Sequence, residues 1–276
     1  GHRNIIRNMG MHMGIDPKIP DPEYKRLSYQ EYLKRYLRCV KGVDDNVKRL
    51  LDYLEKEKLL DNTIIIYTGD QGFMLGEHDY IDKRWMYEES LRMPFLVRYP
   101  KKIKAGSRSD AIINNADFAP TLIDMAGGKV PNYMQGSSFK TILETGSEPI
   151  NWKKDTYYRY WMHMAHKHNN PAHFGIRTKE YKLIFFYGRD YKNNRDISAQ
   201  KWADNPASMS FFNTPPAWEF YDLKNDPYEM NNLYGQNNFQ EVIKNLKGRL
   251  KELRQELKED DSKFPKIKEV VDSYWN

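Results

Sequence analysis

The chain has 276 residues, enough to bury a core without disulfides or a structural metal. A formal net charge of +6, with 44 Lys and Arg against 38 Asp and Glu, favours anionic ligands such as acidic glycans or sulfate and phosphate esters. Nucleic acid is disfavoured because no basic arm, zinc-finger spacing or aromatic RNA-binding signature is present, and no stretch approaches the roughly 18–20 apolar residues of a membrane span.

The opening "GHRNIIRNMGMHMG" has neither an initiator Met nor the apolar core of a signal peptide, which reads as processing or as a fragment of a longer chain. "DPKIPDPEY" is too rich in Pro for a helix, so residues 1–27 read as an extended approach. Ser28 with Glu31 forms a capping-box pattern, and apolar residues from Leu33 to Leu54 recur at helical spacing, predicting a helix to about Leu60. It contains Cys39, the only cysteine, so no internal disulfide can form. Asp61 and Asn62 then turn the chain into the β-branched and aromatic run Thr63 to Thr68, predicted as a strand buried on both faces. A helix running into a buried strand suggests a parallel α/β sheet. A second strand is expected over Phe95 to Tyr99, between Pro94 and Pro100, and a short helix capped by Asp117 and stopped by Gly127 and Gly128.

Beyond about residue 145 the texture changes to aromatic strands separated by loops, at Thr156–Met164, Phe174–Arg177, Tyr181–Tyr187 and Trp218–Leu223. An amphipathic helix follows from about Phe239 to Glu259. The expected organisation is an α/β region over 1–145 and a small α+β subdomain over 146–276, its antiparallel sheet packed by that helix. With 20 Tyr and 6 Trp the chain also carries the aromatic excess common in sugar clefts, although ordinary packing accounts for it equally well.

Ligands of open α/β sheets bind beyond the carboxyl ends of the strands, which is where Asp70 and Gln71 fall. A carboxylate and an amide carbonyl are hard donors suited to Ca²⁺ or Mg²⁺ rather than zinc. Gly69 and Gly72 would let the backbone bend around them, but "GDQG" alone is equally a turn after a strand. Twelve residues past Gln71 lies Lys83, in a stretch with Glu77, His78, Asp79, Asp82 and Arg84. A lysine near a divalent metal makes chemical sense around a shared sulfate or phosphate ester; the competing reading is a solvated surface lysine.

"TIIIYTGDQGFMLGEHDYIDKRWMYEESLRMPFLVRYP", "ADFAPTLIDMAG" and "WEFYDLKNDPYEMNNL", in this order, resemble the C-terminal half of type I sulfatases of the alkaline-phosphatase-like superfamily. The resemblance implies that Asp70 and Gln71 supply part of a Ca²⁺ site, with Mg²⁺ second to it, and that Lys83 contacts the sulfate group. His78 holds the family's "GEH" position, where supporting structure and substrate contact are equally implied, and Arg92 braces the loop. Such enzymes use a formylglycine made within a C/S-x-P-x-R segment. Cys39 is followed by "VKGVD" and no Ser here starts that pattern, so the nucleophile and the remaining metal ligands are expected upstream of Gly1. The chain alone is then expected to be inactive.

The passage "YWMHMAHKHNNPAHFGIRTKEYKLIFFYG" further resembles bacterial sulfatases acting on 6-O-sulfated N-acetylglucosamine in mucin or heparan-type glycans. It implies a sulfated carbohydrate partner, with His173 as the foremost candidate for substrate contact and His163 or His168 behind it. For any one of them a surface loop histidine is an equal reading. The resemblance also implies a periplasmic or extracellular setting, or a lysosomal one if the source is eukaryotic. The rivals are a phosphoesterase or phosphonate hydrolase of the same superfamily, and a noncatalytic module binding acidic glycans.

Overall fold

The structure, a computed structural model, describes residues 12–164, 170–191 and 213–276, and these residues pack as two compact units. One comprises the described residues within 1–83 and 89–107, the other those within 84–88 and 108–276.

The first unit is built on a long helix, α1 (Glu23–Lys56). Its N-cap is Pro22, six residues before the Ser28 cap that the capping-box pattern suggests, because the Pro-rich segment ends at Pro22 and Glu23 can open the first turn. Ser28 therefore lies inside the helix, where its hydroxyl donates to the Tyr24 carbonyl 2.7 Å away instead of capping. Leu37, Val40, Val43, Leu50 and Tyr53 form an exposed apolar stripe along α1. After a short 3₁₀ turn the chain enters β1 (Ile65–Thr68), then a minimal hairpin of β2 (Met74–Leu75) and β3 (Ile81–Asp82), a four-residue helix α2 (Glu88–Leu91), and β4 (Phe95–Arg98).

β1 pairs with β4 in the antiparallel sense, Ile65 opposite Arg98 and Thr68 opposite Phe95. This corrects the expectation of parallel pairing at β1. The hairpin and α2 turn the chain back on itself, so the next strand arrives in the opposite direction. Neither strand is buried on both faces: Tyr67 and Leu96 are exposed, since among the described residues this sheet has only these two strands.

In the second unit, α3 (Phe118–Met125) and α4 (Lys140–Thr145) precede a four-stranded sheet in the order β5 (Asp155–Tyr160), β6 (His173–Thr178), β7 (Tyr181–Phe186) and β8 (Ala217–Asp222), with every pair antiparallel. Asp117 does not cap α3 with its side chain. Fully buried, its carboxylate accepts the Asn114 and Ser137 N–H groups at 2.8 and 2.9 Å and pairs with Lys153. The period-2 alternation of the strands separates two faces. Phe174, Ile176, Leu183, Phe185 and Phe220 meet α5 (Gln240–Glu256) through Ile243, Leu246, Leu250 and Leu253, and α6 (Pro265–Ser273) through Ile267 and Val271. At roughly 1.5–3 kcal/mol per large apolar side chain, this layer is the main source of the unit's stability.

The opposite face carries His173, Gly175, Lys182 and Phe186, and it is covered by residues 84–88. Trp85 stacks on His173 with ring centroids 6.1 Å apart, and Met86 is fully buried over Gly175. A Cβ at Gly175 would stand 2.5 Å from the Met86 sulfur and 2.4 Å from the Leu183 carbonyl oxygen, so only glycine fits beneath this segment. Among the described residues no helix is long and apolar enough to cross a membrane.

Candidate active site

The loop leaving β1 is pinned from behind. The Gly72 N–H donates to the Ser90 carbonyl at 2.9 Å, and a Cβ on Gly72 would stand 2.1 Å from the Glu89 carbonyl oxygen, so glycine is required by close backbone approach. Asp70 and Gln71 stand exposed ahead of this clamp. They are two hard oxygen donors, whereas Ca²⁺ takes about 6–8, and no cluster of three or more His, Cys, Asp or Glu able to hold a metal occurs among the described residues. The pair thus fits part of a Ca²⁺ site in chemistry and exposure, and the remaining ligands would come from outside these residues.

The β2–β3 hairpin presents the second group of candidates. Its turn uses positive φ at residues with side chains, His78 at 52° and Asp79 at 60° after Gly76 at 133°, and Asp82 at the end of β3 has a φ of 91°. The Glu77 carboxylate stabilises the turn by accepting the Leu75 N–H at 2.6 Å. His78 Nε2 lies 3.8 Å from a Glu89 carboxylate oxygen, and Glu89 is one of the residues whose backbone closes on Gly72. Lys83 forms an ion pair with Asp82 at 2.9 Å and places its ammonium 5.9 Å from the Phe73 ring centre, a ring that Tyr36 of α1 stacks upon. Lys83 is a half-buried, held cation rather than a freely solvated one, with the loop of Asp70 and Gln71 in the same unit.

The histidines of the second unit are placed differently. His173 is fully buried among Trp85, Tyr158, Tyr160 and Phe186. Its Nδ1 lies 2.7 Å from the Pro171 carbonyl, which can only accept, so Nδ1 carries the proton and Nε2 is left as an acceptor without a hydrogen-bond partner among the described residues. Burial pushes its pKa down to about 4, against the smaller raising effect of the Pro171 bond, and the ring is neutral at physiological pH. His163 is also buried, its Nδ1 accepting the Ala172 N–H at 3.0 Å. Neither side chain is presented to solvent, where a sugar would arrive. The strand register is the reason, since His173 sits opposite both Tyr160 and Phe186 inside the sheet. His168 lies outside the described residues.

One cluster was not legible as functional or structural from sequence. Lys182 is fully buried, 3.0 Å from Glu88 and 2.6 Å from Glu229. Arg177 clasps Glu88 with two donors at 3.2 and 2.9 Å, and the Glu88 N–H donates to Glu229 at 2.6 Å. Burial raises the Glu88 pKa, but the Lys182 and Arg177 charges outweigh it and bring it down to about 2. Glu229 has the single cation Lys182, and there burial prevails and raises its pKa. The available signal was Lys182 itself, a lone charge inside the apolar run "YKLIFFY". Beside the cluster, the Tyr87 and Tyr221 hydroxyls both donate to Glu219, at 3.1 and 3.0 Å. Together these contacts fasten residues 84–88, the segment directly after Lys83, to the sheet.

This arrangement, a strand-end loop followed by an antiparallel sheet packed by a helix, is shared with sulfatase-type proteins of the alkaline-phosphatase-like superfamily, as comparison with known proteins shows. The chain belongs to the sulfatase family: the family model described as N-sulphoglucosamine sulphohydrolase, C-terminal, matches residues 76–200 and 189–256, and the model described as Sulfatase matches residues 6–128. An N-acetylglucosamine-6-O-sulfatase of Bacteroides thetaiotaomicron is 47% identical over 244 residues, which is 88% of this chain and 38% of that protein. A solved structure of a protein in complex with its substrate D-glucosamine-2-N,6-O-disulfate superposes with a TM-score of 0.76 at 44% identity, covering 88% of this chain and 44% of the other. A phosphonate monoester hydrolase from Silicibacter pomeroyi shares the fold at a TM-score of 0.66 and 19% identity, covering 87% of this chain and 43% of that one. The chain therefore spans about two fifths of the length of these relatives.

Proposed function

We propose that the whole protein carrying this chain hydrolyses a sulfate ester on a carbohydrate, with 6-O-sulfated N-acetylglucosamine as the substrate. The observation that carries this reading is the 47% identity to an N-acetylglucosamine-6-O-sulfatase across 88% of the chain. A neighbour of similar identity bound to a 6-O-sulfated glucosamine points the same way.

In this reading Asp70 and Gln71 give two oxygen ligands to Ca²⁺, and an upstream C/S-x-P-x-R segment supplies the formylglycine nucleophile. Bound there, the metal and the formylglycine would supply Lewis-acid polarisation of the sulfate and the attacking oxygen, respectively. Residues of this chain add contacts of their own. Lys83 holds a fixed positive charge against the nonbridging sulfate oxygens, and its pairing with Asp82 keeps the ammonium aimed when substrate is absent. His78, locked in a left-handed turn beside Glu89, contributes orientation at the rim of the same loop. Buried as they are, His163 and His173 support the wall formed by the sheet and do not contact the sugar.

The test is sulfate release from N-acetylglucosamine-6-sulfate by the whole protein and its Lys83→Ala variant. Loss of one preorganised charge donor typically costs about 10²–10³ in rate, and a fall of that size in kcat/KM is expected. Undiminished turnover by Lys83→Ala would reject its role; release from a differently sulfated sugar but not from this one would reject the substrate. The 276-residue chain by itself is expected to release none.

A further inference from the structure

Residues 84–88 are anchored at their far end by the Glu88 cluster, and at their near end two side chains hold the Arg84 carbonyl. The Arg84 carbonyl accepts from Asn170 Nδ2 at 2.8 Å and from the Tyr158 hydroxyl at 3.3 Å. Asn170 is fully buried, and its own carbonyl accepts the Met164 N–H at 2.8 Å. Because the Arg84 oxygen can only accept, Nδ2 must face it, and Oδ1 is left buried without a hydrogen-bond partner among the described residues. An amide that leaves half of its capacity unused in the core, at a cost of about 1–3 kcal/mol for the orphaned acceptor, is held there for the bond that it does make. Next along the chain, Trp85 is stacked between Tyr87 and His173, with ring centroids 5.8 and 6.1 Å away. The peptide plane after Arg84 is thus fixed on both sides, one residue beyond Lys83.

We propose that Asn170 is a positioning residue for sulfate binding: by holding the Arg84 carbonyl it sets the backbone from which Lys83 projects, with Tyr158 as the weaker second donor. The proposal rests on the reading of Lys83 as a sulfate ligand. Asn170 makes no contact with the reacting atoms and acts only through this backbone. Asn170→Asp keeps the shape, but replaces the donor by a carboxylate that repels the Arg84 oxygen.

The experiment titrates the whole protein with inorganic sulfate, comparing wild type, Asn170→Asp, Asn170→Ala, Tyr158→Phe, Lys83→Ala and the double variant Lys83→Ala/Asn170→Asp, with thermal unfolding of each as the folding control. Asn170→Asp and Asn170→Ala are expected to weaken sulfate binding about tenfold, and Tyr158→Phe about two- to threefold, with cooperative unfolding retained. In the Lys83→Ala background, Asn170→Asp should change affinity less than twofold, because its effect passes through Lys83. An unchanged affinity in Asn170→Asp, or the same tenfold loss with and without Lys83, would overturn the positioning role while leaving the sulfatase reading intact. If the Asn170 variants fail to fold, an unchanged affinity in Tyr158→Phe overturns it as well. Wild-type sulfate affinity in Lys83→Ala would instead remove the Lys83 assignment, and this inference with it.

Discussion

The two units of the chain hold their polar groups in opposite ways. In the first, the candidate ligands Asp70 and Gln71 stand exposed on a loop clamped at Gly72, and positive φ values gather in the hairpin, at His78 and Asp79 in its turn and at Asp82 in β3. In the second, the charged groups are inside: Lys182 with Glu88 and Glu229, and Arg159 with Asp261 at 2.6 Å beneath the Trp161 ring at 3.4 Å. The lesson is a division of labour. Exposed, positive-φ geometry gathers around the candidate ligands, while buried ion pairs gather where a segment is held against the sheet.

The sharpest way to break this contrast is Lys182→Met. Methionine roughly matches the length of the side chain but strands Glu229 with no cation and leaves Glu88 with Arg177 alone. Removing one partner of a buried pair costs about 3–5 kcal/mol, and the midpoint of urea unfolding should fall accordingly. A loss below 1 kcal/mol would mean that the cluster is not what secures residues 84–88. A change of similar type on the first unit, at the exposed Lys41–Asp45 pair, belongs to the class of surface ion pairs that contribute little.

How much of this was legible in the sequence follows the same division. The four strands of the second unit and helix α5 were readable within a few residues, because aromatic and β-branched runs with period 2, followed by a 3.6-period helix, are strong signals. The β2–β3 hairpin was not, since strands of two residues carry no periodicity and its turn uses left-handed His and Asp where glycine would have been the cue. The antiparallel pairing of β1 with β4 escaped because direction depends on the returning path between them and not on either strand's composition. Asp70, Gln71 and Lys83 enter as candidates through local motif and resemblance. Asn170 and Lys182 do not, because their roles exist only through partners 86 and 94 positions away in the chain or nearer to it: Lys182 reaches Glu88, and Asn170 reaches Arg84. The histidines drew attention by residue type, but a histidine on an inward position of a central strand is packed before it is chemical.

His173 gives a smaller effect that separates the units by pH. Its folded-state pKa is held near 4 by burial, below the unfolded value of about 6.5. Between these values the unfolded chain binds a proton that the folded chain refuses. Stability from this site is complete above pH 6.5 and is lost as the pH falls toward 4. From pH 7 to pH 5 the loss is about 2 kcal/mol at 1.36 kcal/mol per pH unit. Urea unfolding followed by tryptophan fluorescence should show this slope in wild type and a flatter one in His173→Phe. Glu88, held near 2, gives its own loss only below about pH 4.5, so the two windows are distinguishable. Equal slopes in wild type and His173→Phe over pH 5–7 would show that the ring is not shielded as described.

The smallest effect is expected on the outer stripe of α1. Leu50 and Val43 are 57% and 48% exposed, so replacing either by Ser removes little buried area. In the isolated chain, each change should alter stability by less than about 0.5 kcal/mol, the range of surface substitutions away from special features. The comparison with Leu250, which is fully buried under the second sheet, makes the result interpretable, because Leu250→Ala creates a cavity and should cost about 2–5 kcal/mol. Should Leu50→Ser prove as damaging as Leu250→Ala, the stripe would have to be packed in solution against a further surface. The distinction between an open first unit and a closed second one would then fail at its most exposed point.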